Sequence, residues 1–202
     1  MVLPQGVMTA MDAETARRQV LESARALFGE RGVQAVGMDA VRTASGVSLK
    51  RLYQLFPSKE TLVEEVLRRR DQAVREGIAA HAQATGADTP YDRVLDVFDY
   101  LADWFAQPGF RGCVFINAFG ELGGTSDGVT DIARTHKAAL RDHFADLTAQ
   151  LGAPDATADH LALLANGAMA VAGINGSPEA AHQARDAARI LLDAATGPAP
   201  GT

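Results

Sequence analysis

From Asp12 onward, apolar residues recur at helical spacing, and the interruptions are glycine and proline. Val20, Ala24, Leu27 and Phe28 give a first amphipathic helix that ends at Gly29–Gly32, where Gly32 suits a left-handed cap. Short helices follow over Met38–Ser45 and Leu49–Phe56, and Pro57 stops the second of them. Ser58 caps a long helix from Lys59 to about His81, through Leu62, Val63, Val66, Leu67 and Val74. Gly86-Ala87-Asp88 breaks the chain, and Thr89-Pro90 opens a fifth helix carrying Val94, Leu95, Phe98, Leu101 and Phe105. Further helices are expected over 110–122, 127–151, 157–174 and 178–195. No stretch alternates with the period of two that a half-buried strand needs. The pattern therefore predicts an all-α chain of about nine helices.

The sequence has 202 residues, with 47% apolar and 22% charged, the balance of a globular protein with a sizeable core. No apolar run reaches the ~18 residues of a membrane span, so no membrane partner is expected. No basic segment leads into an apolar one at the start, and the single cysteine, Cys113, excludes an internal disulfide. A cytoplasmic location is the expectation.

The net charge of −6 hides an asymmetry. Residues 1–70 hold 11 Lys/Arg against 8 Asp/Glu, whereas residues 71–202 hold 8 against 17. Between Ala40 and Lys59 stand Arg42, Lys50, Arg51 and Lys59, with no acid among them. A basic window on an acidic chain is what contact with nucleic-acid phosphates needs. A chance cluster on a solvated face gives the same counts, so charge alone does not decide.

The local pattern is more specific. Two helices of about eight residues flank Ser45-Gly46-Val47-Ser48, and Gly46 takes a positive φ without steric cost. Val41, Ala44, Val47, Leu52 and Phe56 supply an inner face, and Ser48 sits where an N-cap belongs. The outer face of the second helix then presents Leu49, Lys50, Tyr53 and Gln54, with Arg51 at its flank. Such a helix fits the major groove of double-stranded DNA. Lys50 and Arg51 would reach phosphate or guanine, Gln54 adenine, and the Tyr53 hydroxyl a phosphate. Lys59 and the helix start beneath it add a further phosphate contact.

Gly46-Val47-Ser48, Leu52-Tyr53, Phe56 and Ser58-Lys59-Glu60, with Leu62 after them, resemble the TetR family of bacterial regulators. Ala26-Leu27-Phe28, Gly32 and Val33 fit its first helix, so the resemblance spans roughly residues 15–65. It implies a helix-turn-helix domain over 12–58 and a helical ligand-binding and dimerisation domain over 59–196. Residues 1–11 and 197–202 are expected to be disordered. By the same resemblance the protein would be a homodimeric repressor on a palindromic operator, released by a small-molecule effector. The chain departs from the family's habits at Gly37, where threonine is common, at Arg42, where alanine is usual, and at Lys50, where glycine is frequent. Gly37 removes a hydroxyl contact to phosphate; the other two add positive charge.

In the larger domain Tyr100, Trp104, Phe105, Phe110, Phe115 and Phe119 crowd together, as core packing or as the wall of a pocket. Asn117 and Glu121 share a face at i,i+4 spacing, and His143 with Phe144 would stand opposite. The candidate ligand-binding set is thus Trp104, Phe105, Phe115, Asn117, Phe119, Glu121 and His143. Cys113 reads as a packed thiol or a redox sensor. His136, His143 and Asp146 read as a solvated flank or as metal ligands, and the solvated flank is the expectation. The last two helices are rich in alanine and glycine, which suits either an intrachain bundle or a four-helix interface between two copies.

No phosphate loop, H-E-x-x-H or G-x-S-x-G pattern occurs, so neither catalysis nor a cofactor is expected. The alternative is a small helical adaptor or an enzyme without DNA binding. The missing catalytic pattern counts against the enzyme, and the basic segment against the adaptor.

Overall fold

A computed structural model describes residues 12–197, and within them every regular element is an α-helix. In order these are α1 (Ala13–Arg31), α2 (Met38–Ser45), α3 (Leu49–Leu55), α4 (Lys59–Thr85), α5 (Pro90–Phe105), α6 (Val114–Leu122), α7 (Asp127–Gln150), α8 (Ala156–Asn175) and α9 (Glu179–Thr196). The all-α expectation holds. The chain divides into two compact units between Val66 and Leu67, a point within α4. The segments 1–11 and 198–202, expected to be disordered, lie outside the described residues.

The first unit is built around α1. Asp12 caps it by accepting from the Thr15 amide at 2.9 Å, and Gly32, at φ 82°, donates its N–H to the Phe28 carbonyl. Val20, Ala24 and Phe28 are buried with Val41 of α2, Leu52 of α3 and Leu62 of α4. Arg17 covers Phe56, its guanidinium carbon 4.7 Å from the ring centroid, and pairs with Glu65 at 3.0 Å. The inner face differs from expectation at one position. Ala44 is exposed and Ser45 is buried in its place, its hydroxyl donating to the Arg42 carbonyl. That bond offsets the cost of burying a hydroxyl.

The second unit packs α5 against α7, α8 and α9. Phe98 and Phe144 stack with centroids 5.9 Å apart, and both are fully buried. The small residues of α8 and α9 serve this intrachain packing. Ala165, Ala168, Ala172, Ala181, Ala184 and Ala188 are all buried, and α8 lies directly against α9.

Two helix boundaries differ from expectation. Helix α4 runs one turn past His81 to Thr85, because Gly86, at φ 70°, is the first residue to leave the helical region. Helix α6 starts at Val114 rather than at Phe110. Gly109 and Gly112 both adopt positive φ, and Phe110 turns back to stack on Phe105 at 4.7 Å.

Between α4 and α5 lies a buried polar cluster. Asp96, only 4% exposed, accepts from His81 Nδ1 at 2.9 Å and from the Thr85 hydroxyl at 2.6 Å. His81 Nε2 faces Asp103 at 3.4 Å. Burial disfavours the imidazolium, but the two carboxylates outweigh it and raise the His81 pKa above its ordinary value. The raised value means that His81 stabilises the fold fully below about pH 6.5, its unfolded value, and that this is lost as pH rises through the folded value. Thermal unfolding of the wild type and His81→Gln from pH 6 to 9 checks this. The gap between the two curves is expected to narrow with rising pH, and a gap that widens would contradict it.

Candidate functional site

The turn between α2 and α3 is closed by Gly46, at φ 67°, whose N–H donates to the Arg42 carbonyl. A β-carbon there would be strained by the backbone conformation although the surrounding space is open. Ser48 caps α3, accepting from the Arg51 amide at 3.3 Å. Leu52 and Phe56 anchor the inner face of α3, at 0% and 2% exposure. This anchoring turns Leu49, Lys50, Tyr53 and Gln54 outward as one exposed strip.

The remaining residues expected at a DNA surface are placed less uniformly. Gly37 is the exposed N-cap of α2, with no side-chain capping bond and open space beside it. Ser48 is exposed, and Arg51 is half-buried at the flank of α3. Arg42 donates through Nε to Asp39 at 2.8 Å, so an anion would have to compete with that carboxylate. Lys59 donates to the Gln34 carbonyl at 3.3 Å. The Val47 side chain is buried in the core, which leaves only its backbone to face a ligand.

The second unit holds a cavity of about 550 Å³. Val74 and Ile78 of α4, Leu101 and Trp104 of α5, Phe115 of α6, Leu140 of α7 and Met169 of α8 supply its apolar wall. Asp71, Arg75, His136, His143 and Asp146 bring polar groups to it. Burial pushes the His143 pKa down, which favours the neutral ring. Apolar walls with a few polar groups at this volume are the usual form of a small-molecule site.

Of the expected ligand-binding residues, Trp104, Phe115 and His143 line this cavity. Phe105 is buried against Phe110 instead. Asn117 is exposed and donates to the Arg111 carbonyl at 3.0 Å; Phe119 is 47% exposed, and Glu121 lies off the cavity wall. Phe115 and Ala118 are the inward side of α6, which turns Asn117 and Glu121 the other way. His136 is not on a solvated flank. It is 5% exposed, stacked on Phe115 at 3.6 Å, with Nδ1 2.7 Å from Asp71 Oδ1. Among the described residues no group of His, Cys, Asp and Glu is arranged to hold a metal ion.

A sequence profile described as bacterial regulatory proteins of the tetR family matches residues 20–66. The structure also superposes on a TetR-type transcriptional regulator from Streptomyces avermitilis. That match has TM-score 0.77 and 33% identity, and covers 89% of this chain and 97% of the other. The chain belongs to the TetR family. A TetR-family transcriptional regulator from Streptomyces coelicolor superposes with TM-score 0.84 at 27% identity, over 91% of this chain and 97% of the other. The HTH-type transcriptional repressor KstR2 of Rhodococcus jostii is 40% identical over 52 residues, which is 26% of either chain. The curated relative is thus matched over about a quarter of its length.

As a TetR-family regulator the protein carries its helix-turn-helix in the first unit, and the profile match falls within it. Sequence reasoning missed the α4 side of the cavity. Asp71, Val74, Arg75 and Ile78 repeat at helical spacing on one face of α4, and that pattern was readable as a wall. Among the described residues no helix is long and apolar enough to cross a membrane.

Proposed function

We propose that the protein is a homodimeric repressor that reads a palindromic DNA operator with α3 and leaves it when a small molecule fills the cavity of the second unit. The observation that carries this reading is the outward strip Leu49, Lys50, Tyr53 and Gln54, held on a helix that Leu52 and Phe56 fix to the core. An α3 of this size enters the major groove, with Lys50 and Arg51 on phosphate or guanine and Gln54 on adenine. Gly37 offers its exposed backbone at the start of α2, Ser48 and Tyr53 offer hydroxyls, and Arg42 and Lys59 offer charge. Membership of a family of regulators, and the likeness of 52 residues of the chain to a repressor, favour repression over catalysis.

Dimerisation is supported by exposed apolar side chains on the last two helices. Leu163, Val171 and Ile174 of α8 and Ile190 of α9 are 69%, 44%, 83% and 67% exposed. An apolar patch of this kind is costly in water and is commonly covered by a partner. A two-fold pair covering it would carry two reading heads to two half-sites. A monomeric mass by light scattering at micromolar concentration would refute the dimer.

The DNA reading is tested by gel shift on the DNA upstream of the protein's own gene, across a salt series. Binding is expected to weaken steeply with salt. Lys59→Ala is expected to weaken binding to all sequences and to reduce the salt slope by about 1, as for one lost phosphate contact. Gln54→Ala is expected to relax preference at one base pair per half-site, by about 1–3 kcal/mol. Salt-insensitive binding, or none to this or neighbouring promoters, would refute the reading.

A further inference from the structure

The wall of the cavity in the second unit is graded from an apolar part to a charged one. Val97, Leu101, Phe115 and Met169 are 0%, 2%, 1% and 3% exposed and form its buried part. Arg75, Asp142 and Asp146 of the same wall are exposed, and His143 is half-buried. A molecule that fits this gradient is apolar over most of its surface and carries its polar group at one end.

The sign of that group follows from which wall charges are already engaged. Three carboxylates, Asp71, Asp142 and Asp146, stand against one guanidinium, Arg75. Arg75 donates to Asp71 through Nε at 3.0 Å and Nη2 at 2.8 Å, and Asp71 turns its other oxygen to His136 at 2.7 Å. Arg75 and Asp71 therefore neutralise each other. Asp142 faces Arg141, outside the wall, at 3.6 Å. Asp146 has no hydrogen bond or salt bridge to its carboxylate among the described residues. His143, three residues before it and on the same face of α7, makes no hydrogen bond there either. Burial and the Arg93 charge outweigh Asp146 and keep the His143 ring neutral, so one of its nitrogens is free to accept. Arg93 itself is not part of the wall, and its Nε is bound to the Ala87 carbonyl at 3.1 Å. The wall thus presents two acceptors and a negative charge side by side on α7. An anion would meet Asp146 and Asp142 there, with Arg75 held by Asp71.

We propose that the cavity takes organic cations, each an apolar or aromatic body ending in a primary ammonium, with the head on Asp146 and His143 and the body against Leu101, Phe115 and Met169. This rests on the cavity being the effector site, as read above. An ammonium has three N–H donors. Asp146 accepts one in a charge-assisted bond, His143 accepts another, and the third keeps its water at the exposed end of the wall.

The test uses the full-length protein at neutral pH, isothermal titration calorimetry and three biphenyls of one shape. These are para-phenylbenzylamine, a cation, para-phenylbenzyl alcohol, which is neutral, and para-phenylbenzoate, an anion. The amine is expected to bind roughly tenfold or more tightly than the carboxylate, with the alcohol between them. Added salt is expected to weaken the amine and to leave the alcohol unchanged. Asp146→Asn, at an exposed position, is expected to weaken the amine about three- to tenfold and the alcohol by less than about twofold. Ala139→Phe, which fills the cavity from α7, is expected to abolish binding of all three. A carboxylate bound by the wild type as tightly as the amine would overturn the proposal, and needs no variant to measure. So would an Asp146→Asn protein that kept the amine's full advantage over the alcohol, binding that Ala139→Phe left unchanged, or no binding by any of the three. An alcohol that bound while the amine had no advantage would leave the cavity as a small-molecule site and remove only the charge. An amine that bound as expected but left a DNA complex intact would refute the proposed function and leave this inference standing.

Discussion

Leu52→Ala is expected to abolish DNA binding at 37 °C although Leu52 itself touches nothing outside the core. Leu52 is 0% exposed on α3, beneath the outward strip. Truncating a buried leucine costs about 2–5 kcal/mol. A unit of this size holds only roughly 3–8 kcal/mol of stability. The substitution therefore removes most of what keeps the reading head folded, and affinity falls with the folded fraction. Cooling, or a large excess of the bound DNA, is expected to restore part of the binding, because a ligand that binds only the folded state stabilises it. Tyr53→Ala is the control. The neighbouring side chain is 45% exposed, so its loss should leave stability within about 0.5 kcal/mol while still weakening DNA binding. Gel shifts read with hydrogen exchange over α1–α3 separate the two. Exchange in Leu52→Ala as slow as in the wild type would contradict the prediction.

Phe98→Ala carries the other large effect, in the second unit. The ring is fully buried and stacked on Phe144, which is itself buried on α7. Its removal loses the transfer energy of the ring, leaves a void beside Phe144 and breaks an aromatic pair, together about 3–5 kcal/mol. For a protein of this length that corresponds to a fall in the thermal midpoint of roughly 10 °C or more. Phe98 is not part of the cavity wall, whereas its neighbours Val97 and Leu101 are. Stabilisation by the small molecule proposed above for the cavity is therefore expected to persist on the lowered baseline. Denaturant unfolding with and without ligand checks both halves.

The sequence made the fold class and the helix-turn-helix legible for a common reason. Both depend on local signals: the 3.6-residue period, the Gly32 and Gly46 turns and the Asp12, Ser48 and Thr89 caps, each acting within a few residues. Two of the misreadings come from partners distant in the chain, and two from weak local signals. His136 read as surface because its partner, Asp71, lies 65 residues away on another helix. Asn117 and Glu121 do share one side of α6. Which side faces the cavity was settled by α6 packing on α7 through Phe115 and Ala118. Phe110 read as helical because the apolar run that follows outweighed the single break signal at Gly112, which adopts a positive φ. Ala44 and Ser45 exchanged places because an eight-residue helix offers too few turns to fix a phase from composition.

Trp104 is the one tryptophan in the sequence, and it forms part of the cavity wall. The Arg70 guanidinium carbon lies 4.8 Å from its ring centroid, and Phe110 meets it edge-on at 5.1 Å. The protein therefore contains its own optical reporter. A single indole between a cation and an apolar chamber shifts its emission when water beside it is replaced, so occupancy of the chamber is readable by native fluorescence without a label.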